Sequence, residues 1–330
     1  MIDLDPRHDR IAAPLTEALV VVAEIFERQI QSEYPAVADL CAHVARYRGK
    51  MLRPTLTLLS GVASRKGDVS VLEDPDLLRL AAVVEMIHMA TLVHDDVLDE
   101  ADDRRRGATV NRLRGNETAV MLGDYLISNA FHLAASIGDA DLTERLGRVT
   151  NTLCEGELVQ LHHRDDLGLD FRTYLEIIRR KTAVLVGACG RLGARVAGGQ
   201  EATCEALGDF GERIGIAFQV IDDILDVEGD QETVGKTVGL DLHKGKLTLP
   251  MILLLDGSDS ASFATAVEAF RSEDAGQILE MLRASDAIDR ARAFAVEQVD
   301  AAVASITGLD LGDSEDLLRD LAGAVVDRNR

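Results

Sequence analysis

Two stretches of the chain repeat one spacing of acidic residues. "HDDVLDEADDRRRG" (94–107) holds Asp95, Asp96 and Asp99, and "FQVIDDILDVEGD" (218–230) holds Asp222, Asp223 and Asp226, so each contains D-D-x-x-D. On a helix turning about 100° per residue, Asp95 and Asp99 share a face with His88 and Thr91, and Asp222 and Asp226 share one with Gln219. Like charges one turn apart repel, which calls for a cation between them. Carboxylate oxygens without His or Cys partners suit Mg²⁺, a hard ion that keeps several waters and commonly bridges one or two carboxylates to phosphates. A single such cluster in an acidic chain reads equally well as a solvated helix end. Two clusters, each at the C-terminal end of an apolar segment where the helix dipole disfavours negative charge, have a poor structural reason to exist.

Positive charge is scarce and falls at informative places. "RGKMLRP" supplies Lys50 and Arg53, "DDRRRG" supplies Arg104, Arg105 and Arg106, "RRKTA" supplies Lys181 beside Thr182, and "VGKTVGLDLHKGKLT" supplies Lys236, Lys244 and Lys246. Each group alone reads as a turn or a solvated face. Arginine forks and lysine point charges together, alongside Mg²⁺, suggest diphosphate groups, and more than one of them. A phosphate loop of the G-x-x-x-x-G-K-[ST] kind is excluded, because Asp230 stands where the first glycine of "GKT" would be needed.

Helices must position these groups. Six prolines, abundant Ala, Leu, Val, Glu and Asp, and no alternating apolar runs bounded by turn residues indicate an all-α chain. The apolar spacing predicts helices over 14–33, 53–64, 76–100, 118–136, 141–162, 171–197, 201–226 and 249–255, with shorter ones in the tail. Gly-containing breaks such as "SRKGD", "RLRGN", "SIGDAD" and "AGGQE" end these segments, and none is long enough to be a linker. The expectation is a single domain over 1–330, with the motifs in 48–250 and C-terminal helices over 260–330.

The totals exclude some partners. A formal charge of −22 opposes binding to a nucleic-acid backbone, and 4% aromatic residues with no Trp provide no stacking platform, so no nucleic acid is expected. Four cysteines without C-x-x-C spacing are too sparse for a disulfide framework and fit a reducing, cytoplasmic setting. "MIDLDPRHDR" does not read as a signal peptide, and no unbroken apolar run reaches the roughly 18 residues that cross a bilayer, so stable membrane insertion is not expected.

From about Arg48 to Pro250 the chain resembles the trans-isoprenyl diphosphate synthases, the polyprenyl synthetase family. The likeness rests on ordered blocks: "GKMLRP", "EMIHMATLVHDDVLDEADDRRR", "LGDYL", "EGELVQ", "RRKTA", "FQVIDDILDVEGD" and "GKTVGLDLHKGKLTLP". It implies an isoprenoid-synthase bundle of about a dozen helices around a central cavity, with the aspartate clusters facing each other across its mouth. It also implies a homodimer that condenses an allylic diphosphate with isopentenyl diphosphate, using about three Mg²⁺ ions. By motif position Asp95, Asp99, Asp222 and Asp226 would hold metal, with Asp96 and Asp223 nearby. Asp95, Asp99, Lys181 and Asp222 would be catalytic. Arg104, Lys181, Thr182, Gln219, Lys236 and Lys246 would meet the allylic diphosphate, and Lys50, Arg53, His88 and Arg105 the isopentenyl diphosphate. The chain departs from the family pattern at Arg106, which stands where a glycine usually follows the arginine pair; alignment without a gap gives the pair as Arg104 and Arg105, and a shift by one gives Arg105 and Arg106.

Product length follows from the same helix. A growing tail would run back from Asp95 along the face carrying Thr91, and one turn of about 5.4 Å roughly matches one isoprene unit. Ala90 and Thr91 are small where short-chain family members often carry aromatics, so a product of about six to ten units is expected, with Phe131 a candidate floor. A farnesyl- or geranylgeranyl-type product and a non-catalytic regulatory subunit are the alternatives; the second fits poorly because both clusters and their lysines are kept. A histidine-aspartate phosphohydrolase would need more histidine ligands, and a terpene cyclase usually carries a mixed second metal motif.

Overall fold

The computed structural model describes residues 9–47, 49–104, 107–228, 240–272 and 274–328. Helices are α1 (Asp9–Gln29), α2 (Pro35–Val44), α3 (Leu52–Ser64), α4 (Pro75–Leu98), α5 (Val110–Arg114), α6 (Asn116–Ala135), α7 (Ala140–His162), α8 (Phe171–Ile178), α9 (Val184–Val196), α10 (Glu201–Glu228), α11 (Leu240–His243), α12 (Leu249–Gly257), α13 (Ser260–Arg271), α14 (Ala275–Arg283), α15 (Ala287–Ile306) and α16 (Ser314–Val326). The only extended pairing among the described residues is a two-residue antiparallel contact of Asp103–Arg104 with Gly107–Ala108. The all-α expectation is borne out.

The chain forms two compact units. The first comprises residues 1–150, 188–208 and 308–318, and the second comprises 151–187, 209–307 and 319–330. In the first, α4 packs on α1, α3 and α6. Helix α4 is apolar on nearly every face and long enough to cross a membrane, yet 72% of its most apolar window is buried, which marks a core helix. Phe26, Leu56, Leu59, Met86, Ile87 and Met89 fill that core. In the second unit α12 packs on α15, and Phe210, Ile214, Ile221, Ile224 and Met251 are buried.

Several boundaries differ from the expected ones for identifiable reasons. The first helix runs 9–29 rather than 14–33, with Pro14 inside it. Burial of Ile11 and Leu15, at 1% and 0% exposure, outweighs the preference of proline for a helix start. It ends at Gln29, and Tyr34, which precedes Pro35 and is therefore extended (φ −85°, ψ 114°), opens the unforeseen helix α2. The expected continuous helix over 171–197 is one helical run interrupted by a π turn at Arg179–Ala183.

Candidate active site

In the first unit the acidic cluster sits at the end of α4. Asp74 starts this helix by accepting a hydrogen bond from the Asp76 amide at 2.8 Å, with Pro75 at the first helical position. The helix closes at Leu98, and Asp99 follows it while its amide still donates to the Asp95 carbonyl at 2.8 Å. Asp95 and Asp99 thus stay one turn apart, both half-buried. Asp96 differs: its side chain is 2% exposed, and the Arg104 guanidinium binds Oδ1 through Nη2 at 2.6 Å and Nε at 2.8 Å. The Asn111 amide donates to the carbonyls of Asp96 and Ala101 at 3.2 and 3.1 Å, and the Thr109 hydroxyl donates to Ala101 at 2.6 Å. These bonds tie the segment after α4 back onto the helix end. Arg105 and Arg106 lie outside the described residues.

"GKMLRP" forms the entry to α3. Met51 adopts a left-handed conformation (φ 57°), costly for a non-glycine residue, and the Thr55 hydroxyl and amide donate to its carbonyl at 2.7 and 2.9 Å. This turn leaves Lys50 exposed and Arg53 half-buried in the first turn of the helix. His88 and Thr91 are half-buried on α4, Ala90 is fully buried, and Phe131 is half-buried on α6. Cys189, close enough to feel the charges of Arg53 and Glu85, has its thiol pushed up to about 12 by burial and is no nucleophile.

The second unit builds its groups around the π turn. Asp170 caps α8 by accepting from the Thr173 amide at 2.7 Å. Arg179 then pairs with Glu212 at 2.7 Å, and Arg180 with Glu176 at 2.6 Å and Glu155 at 2.5 Å, so both arginines of "RRKTA" anchor the turn to α7, α8 and α10. Gly156 lets α7 approach: a Cβ there would lie 2.7 Å from the Lys181 nitrogen. Extra residues in a π turn rotate the side chains that follow, and such turns recur at functional sites. Lys181 and Thr182 lie within this turn. The Lys181 Nζ donates to Gln160 Oε1 at 2.7 Å and lies 2.6 Å from Glu157 Oε2.

Thr182 begins a chain of hydrogen bonds. Its hydroxyl donates to Gln219 Oε1 at 2.9 Å, Gln219 Nε2 donates to Asp223 Oδ1 at 3.0 Å, and the Tyr174 hydroxyl donates to Asp223 Oδ2 at 2.6 Å. Burial pushes the Asp223 carboxyl up to about 7, with the neighbouring charge of Asp241 adding to it and the donated bonds opposing it. The Tyr174 hydroxyl is likewise raised, first by burial and then by Asp223. Asp222 and Asp226 are half-buried. Asp222 pairs with Arg328 at 2.9 Å, and Asp226 accepts from the Asp241 amide at 3.1 Å. Lys246 is half-buried next to Leu247, and Lys236 lies outside the described residues.

Each cluster therefore has the same internal division. Its middle aspartate is buried, whereas its first and last are half-buried. Tyr174→Phe deletes one donor to the buried Asp223 and is expected to cost about 1.5–3 kcal/mol of stability in urea unfolding. A loss below about 0.5 kcal/mol would mean the bond contributes nothing.

The donor chemistry fits Mg²⁺. The available groups are carboxylate oxygens, and among the described residues no three acidic, His or Cys side chains converge into a ready-made metal cage. An ion that takes one or two carboxylates, several waters and substrate phosphates needs no such cage.

An all-α fold carrying two D-D-x-x-D clusters, the "RRKTA" block and a basic entry to α3 has the ordered motifs of a prenyl diphosphate synthase. The polyprenyl synthetase family model matches residues 34–284, and the chain belongs to that family. It is 36% identical to heptaprenyl diphosphate synthase component 2 of Geobacillus stearothermophilus, covering 93% of this chain and 95% of the relative. It is 35% identical to octaprenyl diphosphate synthase of Haemophilus influenzae, covering 91% of each. A crystal structure of polyprenyl synthase from Caulobacter crescentus CB15, complexed with calcium and isoprenyl diphosphate, superposes with a TM-score of 0.90 at 33% identity over 98% of both chains.

Sequence reasoning did not assign Glu157 and Gln160 as partners of Lys181, Tyr174 as a partner of Asp223, or Arg328 as a partner of Asp222. The "EGELVQ" block signalled the first pair without giving it a role. Nothing local signals the other two.

Proposed function

We propose that the chain is a Mg²⁺-dependent prenyltransferase that condenses an allylic prenyl diphosphate with isopentenyl diphosphate head-to-tail, releasing diphosphate and making an all-trans product of about six to ten isoprene units. The observation carrying this reading is the division within both clusters, which leaves Asp95, Asp99, Asp222 and Asp226 half-buried beside buried middle aspartates. The heptaprenyl and octaprenyl synthases among its relatives support the product class.

The first unit contributes Asp95 and Asp99 for metal, Arg104 for the allylic diphosphate, and Lys50, Arg53 and His88 for isopentenyl diphosphate. The second contributes Asp222 and Asp226 for metal, and Lys181, Thr182, Gln219 and Lys246 for the allylic diphosphate. About three bound Mg²⁺ ions would neutralise the charge that develops on the departing diphosphate. Lys181 adds a fixed ammonium for the same charge, held in place by Glu157 and Gln160 so that little reorganisation is needed. Thr182 and the Gln219 amide offer oriented dipoles toward an allylic cation, since Asp223 fixes which end of that amide donates.

The test is the purified chain with Mg²⁺, labelled isopentenyl diphosphate and each allylic primer in turn, with products separated by length. A ladder ending at six to ten units is the expected result, and no product under any primer overturns the reading for the chain alone. The relative named as component 2 of its enzyme favours a second arrangement, in which this chain works with a different subunit. Activity that appears only when a second protein is added would select it over a homodimer.

A further inference from the structure

Arg328 lies two residues beyond α16, and two contacts seat its guanidinium on α10. Nη1 is 2.9 Å from Oδ1 of Asp222, and the guanidinium carbon lies 4.2 Å from the centroid of the Phe218 ring. Phe218 and Asp222 are four residues apart on one helix, so the seat has an aromatic floor and an anionic end. That shape suits a planar guanidinium better than an ammonium. The pair is only partly open to solvent, with side-chain exposures of 25% for Arg328 and 39% for Asp222.

The carboxylate it holds is one of those assigned above to Mg²⁺. A guanidinium on Oδ1 and a Mg²⁺ ion on the same carboxylate draw on one negative charge and repel each other, so each weakens the other's hold. We propose that Arg328 is an intramolecular competitor of Mg²⁺ for Asp222, so that the C-terminal end of the chain holds this carboxylate until a metal–diphosphate displaces it. Metal loading on the second cluster then depends on diphosphate. Displacement does not require the arginine to leave: the Phe218 contact is independent of Asp222, and a guanidinium retained there presents its donors to phosphate oxygens. This inference rests on the reading of Asp222 as a metal-holding residue.

The full-length protein is titrated with Mn²⁺, a spin-active substitute for Mg²⁺, with and without inorganic diphosphate, and bound ion is followed by electron paramagnetic resonance. Without diphosphate, Arg328→Ala is expected to bind Mn²⁺ about two- to fivefold more tightly than the parent, with the difference shrinking at saturating diphosphate. Phe218→Leu removes the floor without touching either charge and is expected to shift affinity in the same direction by a smaller factor. Equal Mn²⁺ affinity in the parent and both variants overturns the proposal. Asp222→Asn separates the two readings: if it leaves Mn²⁺ binding unchanged with and without diphosphate, Asp222 is not a metal residue, whereas weakened binding together with an inert Arg328→Ala defeats the competition alone.

Discussion

Asp95→Ala and Asp222→Ala are each expected to lower prenyl-transfer turnover by at least about 10²–10³-fold, the loss usual when a fixed group that stabilises developing charge is removed, with far-UV helicity unchanged. The unchanged helicity follows from position. Asp95 lies in the last turn of α4, where the dipole disfavours an anion, so its loss does not weaken the helix. Asp222 surrenders only a part-exposed pair with Arg328, a kind of contact that contributes about 0–1 kcal/mol. The middle aspartates behave in the opposite way. Asp96→Ala leaves the Arg104 guanidinium without its buried partner, and breaking such a pair costs about 3–5 kcal/mol. Asp223→Ala strips the acceptor from Tyr174 and Gln219. First-position variants should therefore lose rate at constant midpoint temperature, and middle-position variants should lose midpoint temperature as well. Near-parental turnover in both Asp95→Ala and Asp222→Ala would remove the metal assignment.

The features legible in the sequence were those with a local cause. D-D-x-x-D places its first and last carboxylates one turn apart on any helix, and the apolar run before Asp95 marks a core helix by composition alone. Which aspartate of each trio turns inward was less accessible, because the answer depends on Arg104 from the segment after the helix and on Tyr174, 49 residues before Asp223. The same holds for Arg328, which lies 106 residues from Asp222 and has no motif of its own. The π turn was invisible for another reason. "RRKTA" has the apolar spacing of a continuing helix, and the widened turn is fixed by three acidic partners on α7, α8 and α10. Met51 hides a left-handed residue where Gly49 two positions earlier would draw the eye. Helix α2 escaped because its opening Pro35 reads as a break, although proline also starts helices.

Thr91→Phe is expected to shorten the final product by several isoprene units. The structure separates the two small residues that precede Asp95. Ala90 is fully buried, so a phenylalanine there overpacks the first unit and should cost about 1–3 kcal/mol before it tells anything about length. Thr91 is half-buried, and its hydroxyl donates to the His88 carbonyl of its own helix at 2.8 Å, which leaves its methyl group as the face it presents. An aromatic ring at that position, one turn or about 5.4 Å before Asp95, would meet a tail after its first units. Chain extension beyond that point should stop while turnover with a short primer persists, since none of the groups assigned to diphosphate is altered. The product ladder, separated by length, reads both quantities at once. An unchanged ladder removes Thr91 from the path of the tail. Shortening by Thr91→Phe with no lengthening by Phe131→Ala would place the natural stop deeper than Phe131, because a floor that sets length must release it when it is cut away.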